Sequence, residues 1–172
     1  MRDSLAGDSS EDGGRTQVVL FRVLHTLALF WMMAGLGTVM VAIWRAWATS
    51  DLETRLVLLT EAAEAETRWL LPGILATGIT GFAWAASDDT NLVTTGWLLA
   101  LEIVFSLDVF IFLPLMGVGL RRVRLLALQA RKQGEVTDEL RTALDDRVPI
   151  VFGTLIVVSV PIMTVLAVWK PF

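Results

Sequence analysis

Four stretches of this chain, at about residues 23–44, 70–86, 97–120 and 150–168, carry almost no charge. At ~1.5 Å per residue, each can cross or nearly cross a ~30 Å hydrocarbon core as a helix. Hydrocarbon offers no water to hydrogen-bond, so every backbone N–H and C=O must be paired within the protein, and uninterrupted apolar stretches satisfy this as helices. The sequence therefore predicts an all-α fold, a four-transmembrane-helix bundle in one domain covering residues 18–172. The segregation of charge decides this more than the average does, since 55% hydrophobic residues is only somewhat above an ordinary soluble domain.

The segments between the spans carry their own signals. Residues 1–17 are polar, acidic and without apolar period, which predicts a disordered tail. The apolar stretch behind it is longer than a signal-peptide core and no A-x-A site follows, so no signal peptide is expected. Ser50 followed by Glu53 fits a capping box. Leu52, Leu56, Leu59 and Ala63 then share one face of an amphipathic helix leading into the second span. After the third span, RRVRLLALQARKQG is a basic helical stretch ended by Gly134 as C-cap. Thr137 caps a further short helix, and Pro149 marks the break before the fourth span. No internal repeat is evident.

Basic residues set the expected orientation. Arg45, Arg55, Arg68, Arg121, Arg122, Arg124, Arg131, Lys132, Arg141 and Arg147 lie in the connections after the first and third spans. The other side holds only Arg2, Arg15, Arg22 and Lys170. Both termini are thus expected outside, with two cytoplasmic amphipathic helical connections. Twelve Arg against two Lys, with abundant Ala, Gly, Val and Leu, resembles the output of a high-GC bacterial genome, and the expected location is the bacterial inner (cytoplasmic) membrane.

Absent residue types exclude whole chemistries. With no cysteine there are no disulfides, thiolate metal sites or thiol catalysis. With His25 as the one histidine, a His-cluster zinc site cannot form in one chain. A net charge of −4 gives no basic face for nucleic acid. No phosphate-binding loop, nucleophile elbow or catalytic carboxylate pair is present, so no catalytic residue is assigned and a non-enzymatic role is favoured.

Ionisable residues inside a span cost roughly 2.5–3.5 kcal/mol each at the helix centre and call for a partner or a task. Here they form an intramembrane polar group of Arg22, His25, Glu102 and Asp108. Glu102 and His25 are expected at similar depth, which predicts a pair between Glu102 and His25 or Arg22. Asp108, near the midplane and ~120° around the helix from Glu102, is expected to bond a hydroxyl of Thr77, Thr80 or Ser159. Gly73, Thr77 and Gly81 form a small-residue stripe suited to close helix packing, and Gly35 and Gly37 a weaker one. Pro114 and Pro161 are expected to kink their helices. Met32 and Met33 follow His25 on one side of the first helix. A His–Met pair suits copper or haem iron, but the ~10 Å rise between them is too long for one mononuclear site.

LHTLALFWMMAG in the first span, PGILATGITG in the second, GWLLALEIVFSLDVFIFLPLMGVGLRRVR in the third and the final WKP form a joint pattern. It resembles the predicted bacterial integral membrane proteins grouped as domain of unknown function 2269. The first span is also similar to copper-resistance D-type proteins and to the membrane protoporphyrinogen oxidase of the HemJ type. The latter resemblance implies a haem-binding role, with haem b, for His25. This chain departs from that pattern in having no Lys within its spans, which removes support for oxidase activity and for a second haem contact. Three roles follow: a structural or accessory protein, as a homo-oligomer or with a membrane partner subunit; a haem- or copper-binding redox protein using His25; or a proton- or cation-coupled transporter using Glu102 and Asp108.

Overall fold

The structure, a computed structural model, describes residues 4–171 apart from Asp89 and Leu92, with side chains from residue 13 onward. Helix α1 spans Ser4–Ala48. It therefore runs through most of the stretch expected as a disordered tail, whose first three residues lie outside the described ones. Around Gly13 and Gly14 this part of the helix stands in open space, with nothing within 4 Å of a Cβ position. It continues the helix because extending a formed helix is far cheaper than nucleating one.

Helices α2 (Leu52–Ala65) and α3 (Leu71–Ser87) join through a π turn at Glu66–Leu70. Helices α4 (Gly96–Leu107) and α5 (Leu113–Gln133) join likewise through a π turn at Asp108–Phe112. The short α6 (Asp138–Leu144) precedes α7 (Val148–Trp169). Among the described residues 89% are helical and none lies in a strand. Four helical stretches are long and apolar enough to cross a membrane.

The two π turns share a cause. Pro72 and Pro114 each stand second in the helix that follows. A proline donates no N–H to the carbonyl four residues back, and its ring crowds that carbonyl. The turn before each proline widens instead, so Leu71 N–H bonds Glu66 O and Leu113 N–H bonds Asp108 O, five residues back. The distortion expected at Pro114 is thus a π turn, repeated at Pro72. At Pro161, by contrast, α7 continues without a break.

One cap differs from the sequence reading. The N-cap of α2 is Asp51, whose carboxylate accepts from Thr54 N–H at 2.9 Å, rather than Ser50. A carboxylate is the stronger acceptor for these exposed amide dipoles. The bonds from the Thr54 hydroxyl and amide hold the Asp51 carboxyl below its ordinary pKa. Gly134 (φ 74°) and Thr137 act as expected, Thr137 accepting from Leu140 N–H at 3.3 Å.

Helix α1 packs on α2 and α3, α2 on α5, and α7 on α4 and α5. Two reciprocal glycine contacts set the α1–α3 register. A Cβ at Gly35 would lie 2.8 Å from Leu70 N, and one at Gly73 would lie 2.8 Å from Met32 Cα. Backbone meets backbone at both points. At one end of the bundle the Trp47 ring carries the guanidinium of Arg55 at 4.8 Å and that of Arg147 at 5.8 Å. Arg55 also pairs with Asp145 at 2.9 Å. At the other end Lys170 lies 5.0 Å from the Trp97 ring centre and Arg22 5.3 Å from that of Trp84. Such cation–π contacts favour Trp at a boundary that is apolar on one side and wet on the other.

These contacts give opposite predictions for two neighbouring glycines. Gly35→Ala must push two backbones apart and should destabilise the protein by about 1–3 kcal/mol. Gly37 has nothing within 4 Å, so Gly37→Ala should be neutral or stabilise by up to about 1 kcal/mol through helix propensity. Unfolding of both variants in one detergent would check this; equal behaviour would contradict the register.

Candidate functional site

His25 sits on α1 opposite the C-terminal half of α3. Its Nδ1 lies 3.1 Å from the Thr77 carbonyl and 3.2 Å from Thr80 Oγ1. A carbonyl can only accept, so Nδ1 carries a proton, and in the neutral ring the Nε2 lone pair stays open. The place exists because Gly81 has no side chain: a Cβ there would stand 3.0 Å from His25 Cε1. The imidazole tilts against Trp84, ring centres 5.8 Å apart, and Arg22 stacks on the same indole. Arg22, His25, Thr77, Thr80, Gly81 and Trp84 thus form one assembly between α1 and α3. All three residues of the small stripe face α1: Gly73 against Met32, Thr77 through its carbonyl, Gly81 against the ring.

The expected pair between Glu102 and His25 or Arg22 is not formed. The His25 Nδ1 is taken by α3, and α4, which carries Glu102, packs on α7. The sequence reading set the two residues level by depth, and the packing of their helices gives them different neighbours. Glu102 Oε1 is buried with no hydrogen-bond partner.

Asp108 does find one of its expected hydroxyls. Ser159 Oγ on α7 contacts its Oδ2, while Oδ1 is buried without a partner. The same Oγ lies 2.7 Å from Ile156 O, so a single hydroxyl proton faces two acceptors. Asp108 is 3% exposed and opens the second π turn.

The residue that sequence reading missed is Glu66. It opens the first π turn and is 1% exposed. Its Oε1 and Arg121 Nη2 crowd the same glycine: a Cβ on Gly117 would lie 2.7 Å from one and 2.8 Å from the other. Glu66 also accepts from Thr67 Oγ1 at 3.2 Å. The signal was in the sequence. Glu66 to Pro72 and Asp108 to Pro114 share one frame, an acidic residue followed by Leu at +5 and Pro at +6. Glu66 falls just before the apolar run of its span, among Glu64 and Arg68, and reads there as a surface charge.

A mononuclear metal site with several protein ligands does not fit this arrangement. Among the described residues no three His, Cys, Asp or Glu side chains gather. Met32 is buried at 5% exposure against α3, while Met33 is 42% exposed and lines a groove beside Pro161. The two sulfurs therefore face different elements. His25 Nε2 is the imidazole nitrogen that stands outside the contacts with Thr77 and Thr80.

The geometry yields a checkable pair of stabilities. Glu102→Gln and His25→Ala should be additive within about 0.5 kcal/mol, as for residues without contact. Ser159→Ala strands both Asp108 oxygens and should cost about 1–2 kcal/mol, the range of intramembrane hydrogen bonds. Coupling above that limit between Glu102 and His25, or a neutral Ser159→Ala, would contradict these placements.

Residues 19–171 match the family described as "Predicted integral membrane protein (DUF2269)". No curated protein and no solved structure matches the chain.

Proposed function

The chain belongs to the DUF2269 family of predicted integral membrane proteins, and on that premise we propose that it is an accessory, non-enzymatic protein of the bacterial cytoplasmic membrane that holds haem b through His25. One observation carries this reading: Nδ1 of His25 is committed to the Thr77 carbonyl at 3.1 Å. Histidines that ligate metals characteristically donate their second ring nitrogen to a carbonyl or carboxylate, which fixes ring and tautomer and leaves the other lone pair for the iron. Arg22, one turn away on α1 and stacked on Trp84, supplies a guanidinium for a haem propionate. Haem bound at this place would supply one-electron redox chemistry. A second histidine ligand would have to come from another subunit or a membrane partner, since His25 is the chain's one histidine.

The test is the absorption spectrum of the full chain purified in detergent from haem-replete cells. A Soret band is expected, and it should vanish in His25→Ala while Thr80→Ala retains it. A colourless preparation that is otherwise folded, or a band unchanged in His25→Ala, removes the haem reading and leaves a structural or accessory role.

A second reading rests on the buried carboxylates. Glu102 Oε1 and Asp108 Oδ1 are both buried and unpartnered, and buried polar atoms of that kind call for a water, an ion or a task. With Glu66 they give three carboxylates inside the bundle, the kind of group on which proton- or cation-coupled transport draws. Proton or cation flux into liposomes that disappears in Asp108→Asn would support it; flux unaffected by that change would end it.

The orientation is part of the same proposal. The excess of Arg and Lys at the Trp47 end, together with the positive-inside rule, supports placing that end in the cytoplasm and both termini outside. The chain has no cysteine, so single introduced thiols report cleanly. A membrane-impermeant maleimide should label Asn91→Cys in intact cells and leave Gln129→Cys unlabelled. The reverse pattern would invert the topology.

A further inference from the structure

Away from His25 and the carboxylates, a groove of about 490 Å³ opens between α5 and α6, lined by Val118, Arg121, Arg122, Leu125, Leu126 and Glu139. Its walls are of two kinds. Val118 and Leu125 are 61% and 67% exposed and present bare apolar surface. Arg121 and Arg122 stand between them in sequence, as the first charges after the apolar run that ends at Leu120. On a membrane helix that is the level where hydrocarbon gives way to headgroups. Arg121 shares the Gly117 surface with Glu66, whereas Arg122 has no ion pair among the described residues. With Arg121 balanced by Glu66 behind it, Arg122 is the guanidinium in this lining that stands ready for an anion.

We infer that this groove binds one anionic phospholipid of the phosphatidylglycerol type, independently of any cofactor at His25. The guanidinium of Arg122, with that of Arg121 beside it, holds the phosphodiester, which planar, multiply donating groups bind well. An acyl chain covers Val118 and Leu125, and the headgroup hydroxyls donate to the Glu139 carboxylate. A lipid of no net charge forgoes the attraction of the arginine pair, and phosphatidylcholine has no donor for Glu139. The groove lies at the end of the bundle tied by Arg55, Asp145 and Trp47, so a lipid seated there bridges α5 and α6 beside that contact.

Native mass spectrometry of the full chain in detergent, offered equal phosphatidylglycerol, phosphatidylethanolamine and phosphatidylcholine, tests this. Phosphatidylglycerol should be retained most and phosphatidylcholine least. Arg122→Gln should lower phosphatidylglycerol retention about fivefold, the effect of one basic residue near a charged lipid surface. Arg122→Lys should recover most of it. Arg131→Gln, on α5 but outside the groove, should leave retention unchanged. Equal retention of the three lipids by the unmodified chain, or equal loss in Arg122→Gln and Arg131→Gln, would overturn the inference. Because Arg121 also faces Glu66, Arg122 is the informative position, and unchanged unfolding of Arg122→Gln would separate lost binding from lost fold.

Discussion

Where α1 crosses α3, two glycines remove the side chains that would otherwise hold the helices apart. Gly35 lets the backbone of Trp69 and Leu70 approach α1, and Gly73 lets the backbone of Trp31 and Met32 approach α3. The helices run antiparallel, so these two contacts, one turn apart, fix both spacing and register. In lipid there is no hydrophobic gain from pressing one apolar helix on another, and close van der Waals contact between small residues takes its place. Everything on the C-terminal half of α3 follows from that register. Two to three turns beyond Gly35, His25 meets the Thr77 carbonyl, Thr80 and the space above Gly81.

The opposite direction along the same rod leads to the first π turn. Pro72 forces it, and the widened turn places Glu66 in the interior beside Gly117 and Arg121. Pro114 does the same for Asp108, which then reaches Ser159 on α7. In both cases a backbone defect and a buried carboxylate coincide. π turns of this kind occur mostly as single-turn insertions and often at functional sites. The two prolines therefore do more than bend helices; each positions an acid at the start of a locally widened turn.

The ends of the bundle are held differently from its middle. Trp47 lies between Arg55 and Arg147, with Asp145 neutralising Arg55, which joins α1, α2 and the α6–α7 connection. Trp84 with Arg22, and Trp97 with Lys170, join α1 to α3 and α7 to α4 at the far end. Apolar packing supplies the interior, while charge and indole surface supply the rims where water is near.

The four crossings, the all-α class, the Gly134 and Thr137 caps and the Asp108 hydroxyl partner were legible in the sequence, because each depends on local periodicity or on a short choice among neighbours. The stripe Gly73, Thr77, Gly81 was also visible as a pattern, though not what would lie on it. The sequence alone also determined what chemistry is absent, since no cysteine and one histidine settle that before any folding. Only the tertiary structure decided azimuth. Glu102 and His25 read as level from the sequence, but one stands on α4, which packs on α7, and the other on α1, which packs on α2 and α3, and hydropathy carries no information about angle around a bundle axis. Burial of Glu66 was likewise decided by the fold: a glutamate among Glu64 and Arg68 becomes an interior group only when a π turn rotates it toward a glycine on α5.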